Sequence, residues 1–231
     1  MIVFQEGFTA SAVIFDFDGV IVDTEPLHYA AFQRILEPLG LGFSWDQYIE
    51  TYMGFDDRDA FLEAFRTEGQ TLLPQELARL VDAKAIIFQE VIRDGIKAYP
   101  GVIELITDLR AAGLPLAICS GALLSDITPI LKILNISNCF DTIVTAEEVA
   151  KSKPDPECYR TAFSRLLACH PDRDVTAGQT IAIEDTPAGI QSAKAAGLQV
   201  IAVTNSYPET NLSEADHIIT SLKKLIYFKP V

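Results

Sequence analysis

Apolar residues follow two rhythms along this chain. In some stretches they stand in short unbroken runs; in others they return every three or four residues. Ala12–Phe15 is of the first kind. Four consecutive apolar residues are too few for a helix and read as a strand buried on both faces. From Pro26 the rhythm changes: Leu27, Ala31, Phe32, Ile35 and Leu36 share one helical face. Proline suits a first helical turn, and Gly40 marks the expected end. The same spacing continues over residues 45–94, through Tyr48/Tyr52, Phe61/Leu62/Phe65, Leu77/Leu80/Val81 and Ile87/Val91. Gly54, Gly69 and Pro74 are expected to punctuate it.

After Tyr99-Pro100-Gly101 the two rhythms alternate. Helices are expected over Val102–Ala112, Leu123–Leu134, Pro156–Ala168 and Pro187–Ala196. Strands are expected over Pro115–Cys119, Phe140–Val144, Thr180–Ile183, Gln199–Val203 and His217–Ile219. Asp155 is read as the N-cap of the third of these helices. Repeated strand–helix alternation predicts an α/β fold, a doubly wound, Rossmann-like parallel sheet with helices on both faces. The division that follows is a core of residues 1–24 and 98–231 interrupted by an α-helical insert, residues 25–97.

Composition narrows the function classes. The formal net charge of −14 disfavours a polyanionic partner, so no nucleic acid is expected. No apolar run approaches bilayer length, so no membrane partner is expected either. The N-terminus carries no basic segment before its apolar residues, unlike a secretory signal. Cys119, Cys139, Cys158 and Cys169 show no C-x-x-C spacing. That argues against a zinc ribbon or redox pair and suits reduced cysteines in the cytoplasm. A monomer is the expected state.

The candidate chemistry sits at strand ends. The first strand stops at Asp16, with Asp18 two residues on and Gly19 turning the chain; the next core strand stops at Ser120-Gly121; a later one stops at Glu184 and Asp185. A parallel sheet brings such ends to one edge, where ligands bind. Carboxylates crowded at a buried strand end repel one another unless a cation sits among them. Oxygen donors without a His or thiolate cluster fit a hard ion, Mg²⁺ in particular. Ser120 and the backbone N–H groups after it suit a phosphate. Lys153, in KSKPDPE, where the prolines stiffen the loop, offers an ammonium to the same anion.

Four stretches, DFDGVIVDTE, the serine at the second core strand's end, KPDPE and IAIEDTPAGIQSAKAAG, together resemble the haloacid dehalogenase superfamily, in its β-phosphoglucomutase-like branch. The resemblance implies that the helical insert is a cap domain and that Asp16 is a nucleophile forming an aspartyl phosphate. Asp18 would be the general acid and base, its backbone carbonyl facing the metal. Asp185 would ligate Mg²⁺, with Glu184 a ligand or close support. Ser120, Gly121 and Lys153 would hold the phosphoryl group. In the cap it implies roles for His28, Lys84 and Arg58, although Asp57 and not Arg58 stands at the position where the branch carries its cap arginine. The expected activity is a Mg²⁺-dependent phosphatase of a small phosphorylated metabolite. The alternatives are a β-phosphoglucomutase-type phosphomutase and, from another class, a phospho-acceptor signalling module. A nucleotide-dependent oxidoreductase is disfavoured, since no G-x-G-x-x-G follows the first strand.

Overall fold

The computed structural model describes residues 2–4, 7, 9–53, 55, 57–225, 227 and 228. Gly54 lies outside the described residues. The chain divides into two compact units, residues 1–23 with 97–231, and residues 24–96.

The larger unit is built on six parallel strands. These are β3 (Ala12–Phe15), β4 (Leu116–Cys119), β5 (Thr142–Val144), β6 (Thr180–Glu184), β7 (Gln199–Val203) and β8 (His217–Ile219), in the order β5-β4-β3-β6-β7-β8. The central strands β3, β4 and β6 are buried along their whole length. That is why their sequences are continuous apolar runs and not alternating ones. Helices α5 (Val102–Ala111), α6 (Leu124–Ile133), α7 (Glu157–Cys169) and α8 (Pro187–Ala195) connect them. Cys158, Tyr159, Ala162 and Leu166 of α7, with Ile190 and Ala193 of α8, pack on one face of the sheet. Such side chains contribute about 1.5–3 kcal/mol each when large and fully buried. The strand order reverses between β3 and β6, and an open α/β sheet opens its ligand crevice at that switch point.

Asp155 caps α7 differently from the expectation. Its side chain accepts from the Glu157 backbone N–H at 3.1 Å, while Pro156 occupies the N-cap position.

A second sheet, β2-β1-β9, joins the chain's two ends. Strands β1 (Ile2–Phe4), β2 (Thr9–Ala10) and β9 (Tyr227–Phe228) are antiparallel, with Val3 facing both Thr9 and Phe228. The expectation of reduced cysteines is corrected. Cys119, the last residue of β4, and Cys158 in α7 form a disulfide with Cα atoms 5.8 Å apart; Cys139 and Cys169 are free. Neither partner lies within a recognisable spacing motif, because the pairing is made by α7 packing on β4.

The smaller unit consists of α1 (Glu25–Leu36), a short α2 (Trp45–Gln47) continued as a π-helical turn over Tyr48–Tyr52, α3 (Asp57–Thr67) and α4 (Pro74–Asp94). Phe32, Leu36, Phe43, Tyr48, Tyr52, Phe61 and Leu77 form its core. No strand occurs among its described residues. No helix of the described residues is long and apolar enough to cross a membrane.

Gly101 starts α5 at φ +89°, and a Cβ there would stand 2.6 Å from the Lys223 backbone nitrogen. Gly101→Ala therefore meets both a left-handed backbone and a backbone clash. It is expected to destabilise the larger unit by about 2–4 kcal/mol, read as a lower urea midpoint. An unchanged midpoint would contradict that packing.

Candidate active site

Asp16 immediately follows β3, and its backbone N–H donates to the Ile183 carbonyl of β6 at 2.9 Å. Glu184 ends β6 and Asp185 follows it. Adjacent parallel strands in this register (Phe15 opposite Ile183) bring the three carboxylates together. One oxygen from each of Asp16, Glu184 and Asp185 lies within 4.8 Å of the others, and all three residues are buried. Asp18 is half-buried, and its side chain is outside that group.

Lys153 reaches into the cluster. Its Nζ lies 2.6 Å from Asp16 Oδ1, 2.6 Å from Glu184 Oε1 and 3.1 Å from the Cys119 carbonyl, over the face of Tyr159. All three ammonium protons therefore have acceptors. Burial alone would lower the Lys153 pKa, but the charges of Asp16 and Glu184 prevail and hold it above the ordinary lysine value. The loop carrying Lys153 is tied to α8, where Ser192 Oγ donates to the Asp155 carbonyl at 2.6 Å.

The three carboxylates are not equivalent. Glu184 Oε1 accepts from Lys153 and from the Tyr159 hydroxyl at 2.8 Å. Its Oε2 accepts from the backbone N–H groups of Asp185 and Thr186 and from the Thr186 hydroxyl. Burial pushes the Glu184 carboxyl up, but Lys153 and these donors outweigh it and hold the pKa below its usual value. The first turn of α8 presses against this carboxylate: a Cβ on Gly189 would stand 1.9 Å from Glu184 Oε1. Asp16 has only Lys153 against burial and the charges of Glu184, Asp185 and Asp18, and its carboxyl is pushed well up. Asp185, through burial and then Glu184, is pushed up to about 7.

These residues fit a hard divalent cation. Three carboxylates face one ammonium, and Asp185 Oδ1 is buried without a hydrogen-bond partner. A buried orphan carboxylate oxygen beside two others is a donor awaiting a cation. Glu184, with both oxygens committed, is placed as support more than as a ligand.

Ser120 is buried at the end of β4, and its Oγ accepts from the Ala122 N–H at 2.9 Å, which leaves the hydroxyl proton to donate. Gly121 is exposed beside it. In the smaller unit, Lys84 is buried, its Nζ 2.7 Å from His28 Nδ1 and 2.7 Å from Asp57 Oδ1, with Phe32 and Phe88 rings about it at 5.0 and 4.9 Å. Burial, then the Lys84 charge, hold His28 well below its ordinary pKa, so Nδ1 accepts and the proton sits on Nε2. Arg58 is not part of this group. It is exposed and lines a 200 Å³ cleft with Pro74, Leu77, Ala78, Val81 and Asp82.

Two residues of the larger site escaped the sequence reading. Tyr159 had a signal, since a tyrosine on the core face of a helix needs a partner for its hydroxyl. Ser206, whose hydroxyl donates to Asp185 Oδ2, had none.

The sequence profile described as haloacid dehalogenase-like hydrolase matches residues 13–203. The phosphorylated carbohydrates phosphatase of Thermotoga maritima is 30% identical over 193 residues, covering 82% of this chain and 83% of that protein. The beta-phosphoglucomutase of Bacillus subtilis is 31% identical over 205 residues, covering 85% and 84%. The crystal structure of CbbY from Rhodobacter sphaeroides in complex with phosphate matches at a TM-score of 0.80 and 26% identity, covering 93% of this chain and 96% of that one.

A carboxyl at about 7 that must ionise to bind a cation makes affinity proton-linked. Mg²⁺ affinity should rise with pH by at least about tenfold per pH unit below about pH 7, because Asp185 and the likewise raised Asp16 must both ionise to bind. For the metal-free chain the sign is the reverse. A carboxyl raised from about 3.9 when unfolded stabilises the fold fully at low pH, and that contribution is lost as pH rises through about 7. Calorimetric titration across pH 5–9 checks the first, and melting of the metal-free protein the second; a flat affinity profile would contradict the Asp185 assignment.

Proposed function

The chain belongs to the haloacid dehalogenase-like hydrolases, and from that premise we propose that it is a Mg²⁺-dependent phosphatase of a small phosphorylated sugar. The observation that carries the reading is the Lys153 ammonium bridging Asp16 and Glu184 beside the orphan oxygen of Asp185, at the sheet's switch point. A cluster short of positive charge, with a nucleophile at its edge, is suited to an anionic phosphoryl group only once a cation is present.

Asp16, Asp185 and the Asp18 carbonyl would hold the ion. When bound, Mg²⁺ would offset the repulsion between the carboxylates and the phosphoryl oxygens. Asp16 attacks phosphorus as the bond to the sugar oxygen breaks, and Asp18 gives that oxygen its proton. Asp18, now ionised, takes a proton from water as the water attacks the aspartyl phosphate, releasing inorganic phosphate and restoring Asp16. Lys153 fixes the rotation of the Asp16 carboxylate through Oδ1, and by exchanging the Cys119 carbonyl for a phosphoryl oxygen its ammonium would join Ser120 and the Gly121 N–H in receiving the phosphoryl group. The helical unit is read as the cap that selects the leaving group.

The relatives support both a phosphatase and a mutase reading. A mutase must hold a second phosphate, and in this chain the buried Lys84 ammonium is already engaged by Asp57 and His28. That favours the phosphatase.

The test is phosphate release across a panel of sugar phosphates with Mg²⁺. β-Glucose 1-phosphate is included with and without glucose 1,6-bisphosphate, and glucose 6-phosphate is monitored. Asp16→Asn should abolish release and Asp18→Asn should slow it about 10²–10⁴-fold. Glucose 6-phosphate formation without net release would favour the mutase, and near-native turnover by Asp16→Asn would remove the nucleophile.

A further inference from the structure

We propose that Asn205 and Ser206, on the turn leaving β7, form a positioning element for the metal-binding face of the site. The inference rests on the proposed Mg²⁺ site and extends it to residues outside the motifs that define that site.

The turn reaches two other strand ends at once. Ser206 Oγ donates to Asp185 Oδ2, and Asn205 Nδ2 donates to the Gly19 carbonyl at 2.6 Å. The turn is itself anchored, since the Thr204 N–H donates to the Ile219 carbonyl of β8 at 3.0 Å. Gly19 closes the arrangement. It stands at φ +80°, and a Cβ there would lie 1.8 Å from Asp185 Oδ2 and 2.9 Å from Ser206 Oγ. The acidic turn, Asp185 and Ser206 are therefore packed with no room for a methyl group between them.

A lone aspartate can rotate its carboxylate and present either oxygen or both. Here the Ser206 hydroxyl holds Oδ2, and the oxygen left without a partner is the buried Oδ1. The hydroxyl thus selects which oxygen is offered and fixes its orientation before any ion arrives. Asn205 does the same for the backbone of the acidic turn that carries Asp18. Partners that orient ligating side chains typically change metal affinity 10–100-fold when removed. Ser206 is exposed and outside the hydrophobic core, so its contribution is separable from folding.

The experiment compares wild type, Ser206→Ala and Ser206→Thr in the full chain. It uses Mg²⁺ titration by calorimetry, the Mg²⁺-dependent rise in melting temperature, and the Mg²⁺ dependence of phosphate release. Ser206→Ala should bind Mg²⁺ about 10–100-fold more weakly, with turnover recovered at saturating Mg²⁺; Ser206→Thr, which keeps the hydroxyl, should return affinity to within about threefold. Unchanged Mg²⁺ affinity in Ser206→Ala overturns the inference. So does a lower melting temperature of the metal-free variant with Mg²⁺ affinity intact, which would make Ser206 merely structural. Both leave the Mg²⁺ site standing; a wild type that binds no Mg²⁺ overturns the site and the inference together.

Discussion

The ammonium of Lys153 is the contact around which the larger unit's chemistry is arranged. Removing two carboxylates from water costs several kcal/mol per ion, and only close, well-directed partners offset it. One head group answers Asp16 after β3, Glu184 at the end of β6 and the Cys119 carbonyl at the end of β4. Three strand ends thus depend on one side chain from a fourth segment, which α8 holds in turn through Ser192. The same contact sorts chemically alike groups into different roles. Glu184 gains the ammonium, the Tyr159 hydroxyl and two backbone N–H groups, and stays ionised. Asp16 and Asp185 share what remains and hold their protons more tightly. Environment separates a carboxylate held ionised from two with raised proton affinity, which on the proposed reading would respond to an arriving cation.

Strand order makes that sorting possible. The chain lays β3 first, adds β4 and β5 on one side, then crosses to add β6, β7 and β8 on the other. Residues far apart in sequence, Asp16 and Glu184, become neighbours because Phe15 is in register with Ile183. A one-residue slip in that pairing would turn each successive side chain to the opposite face. Buried strands, apolar on both faces, do not fix their own register by alternation. The polar strand ends and the close approach of Gly189 to Glu184 supply further constraint.

What was legible in the sequence follows from this. Unbroken apolar runs closed by Asp16, Ser120 or Glu184 announce both the strand and the proposed functional edge, because apolar side chains give way to polar ones while burial continues. The helical unit was legible from spacing alone, since its core is one face of each helix. Contacts made by packing left no such mark. Cys119 and Cys158 meet because α7 lies on β4, and β1 pairs with β9 from the other end of the chain. Asp57 reads as an acidic residue at the start of α3, where a carboxylate is favoured on its own account. Its ion pair with Lys84, 27 residues on, is a tertiary event. Ser206 stands in a polar turn like any other until β7 places it over Asp185.

The two buried lysines show how charge accounting separates a site from a support. Lys84 faces one carboxylate and a neutral imidazole, with aromatic rings on two sides. Its charge is matched, and a further anion there would have to displace Asp57. Lys153 faces an excess of carboxylates; burial first, and that excess after it, raise the proton affinity of Asp16 and Asp185. A matched buried pair resists new charge, whereas an unmatched cluster recruits it as a proton or as a metal ion. Both groups answer to the same electrostatics. The difference is one carboxylate partner against two, with Asp185 close beside them, and it supports the proposed cation and phosphate binding at the strand ends of the larger unit, while Lys84 fixes the tautomer of His28.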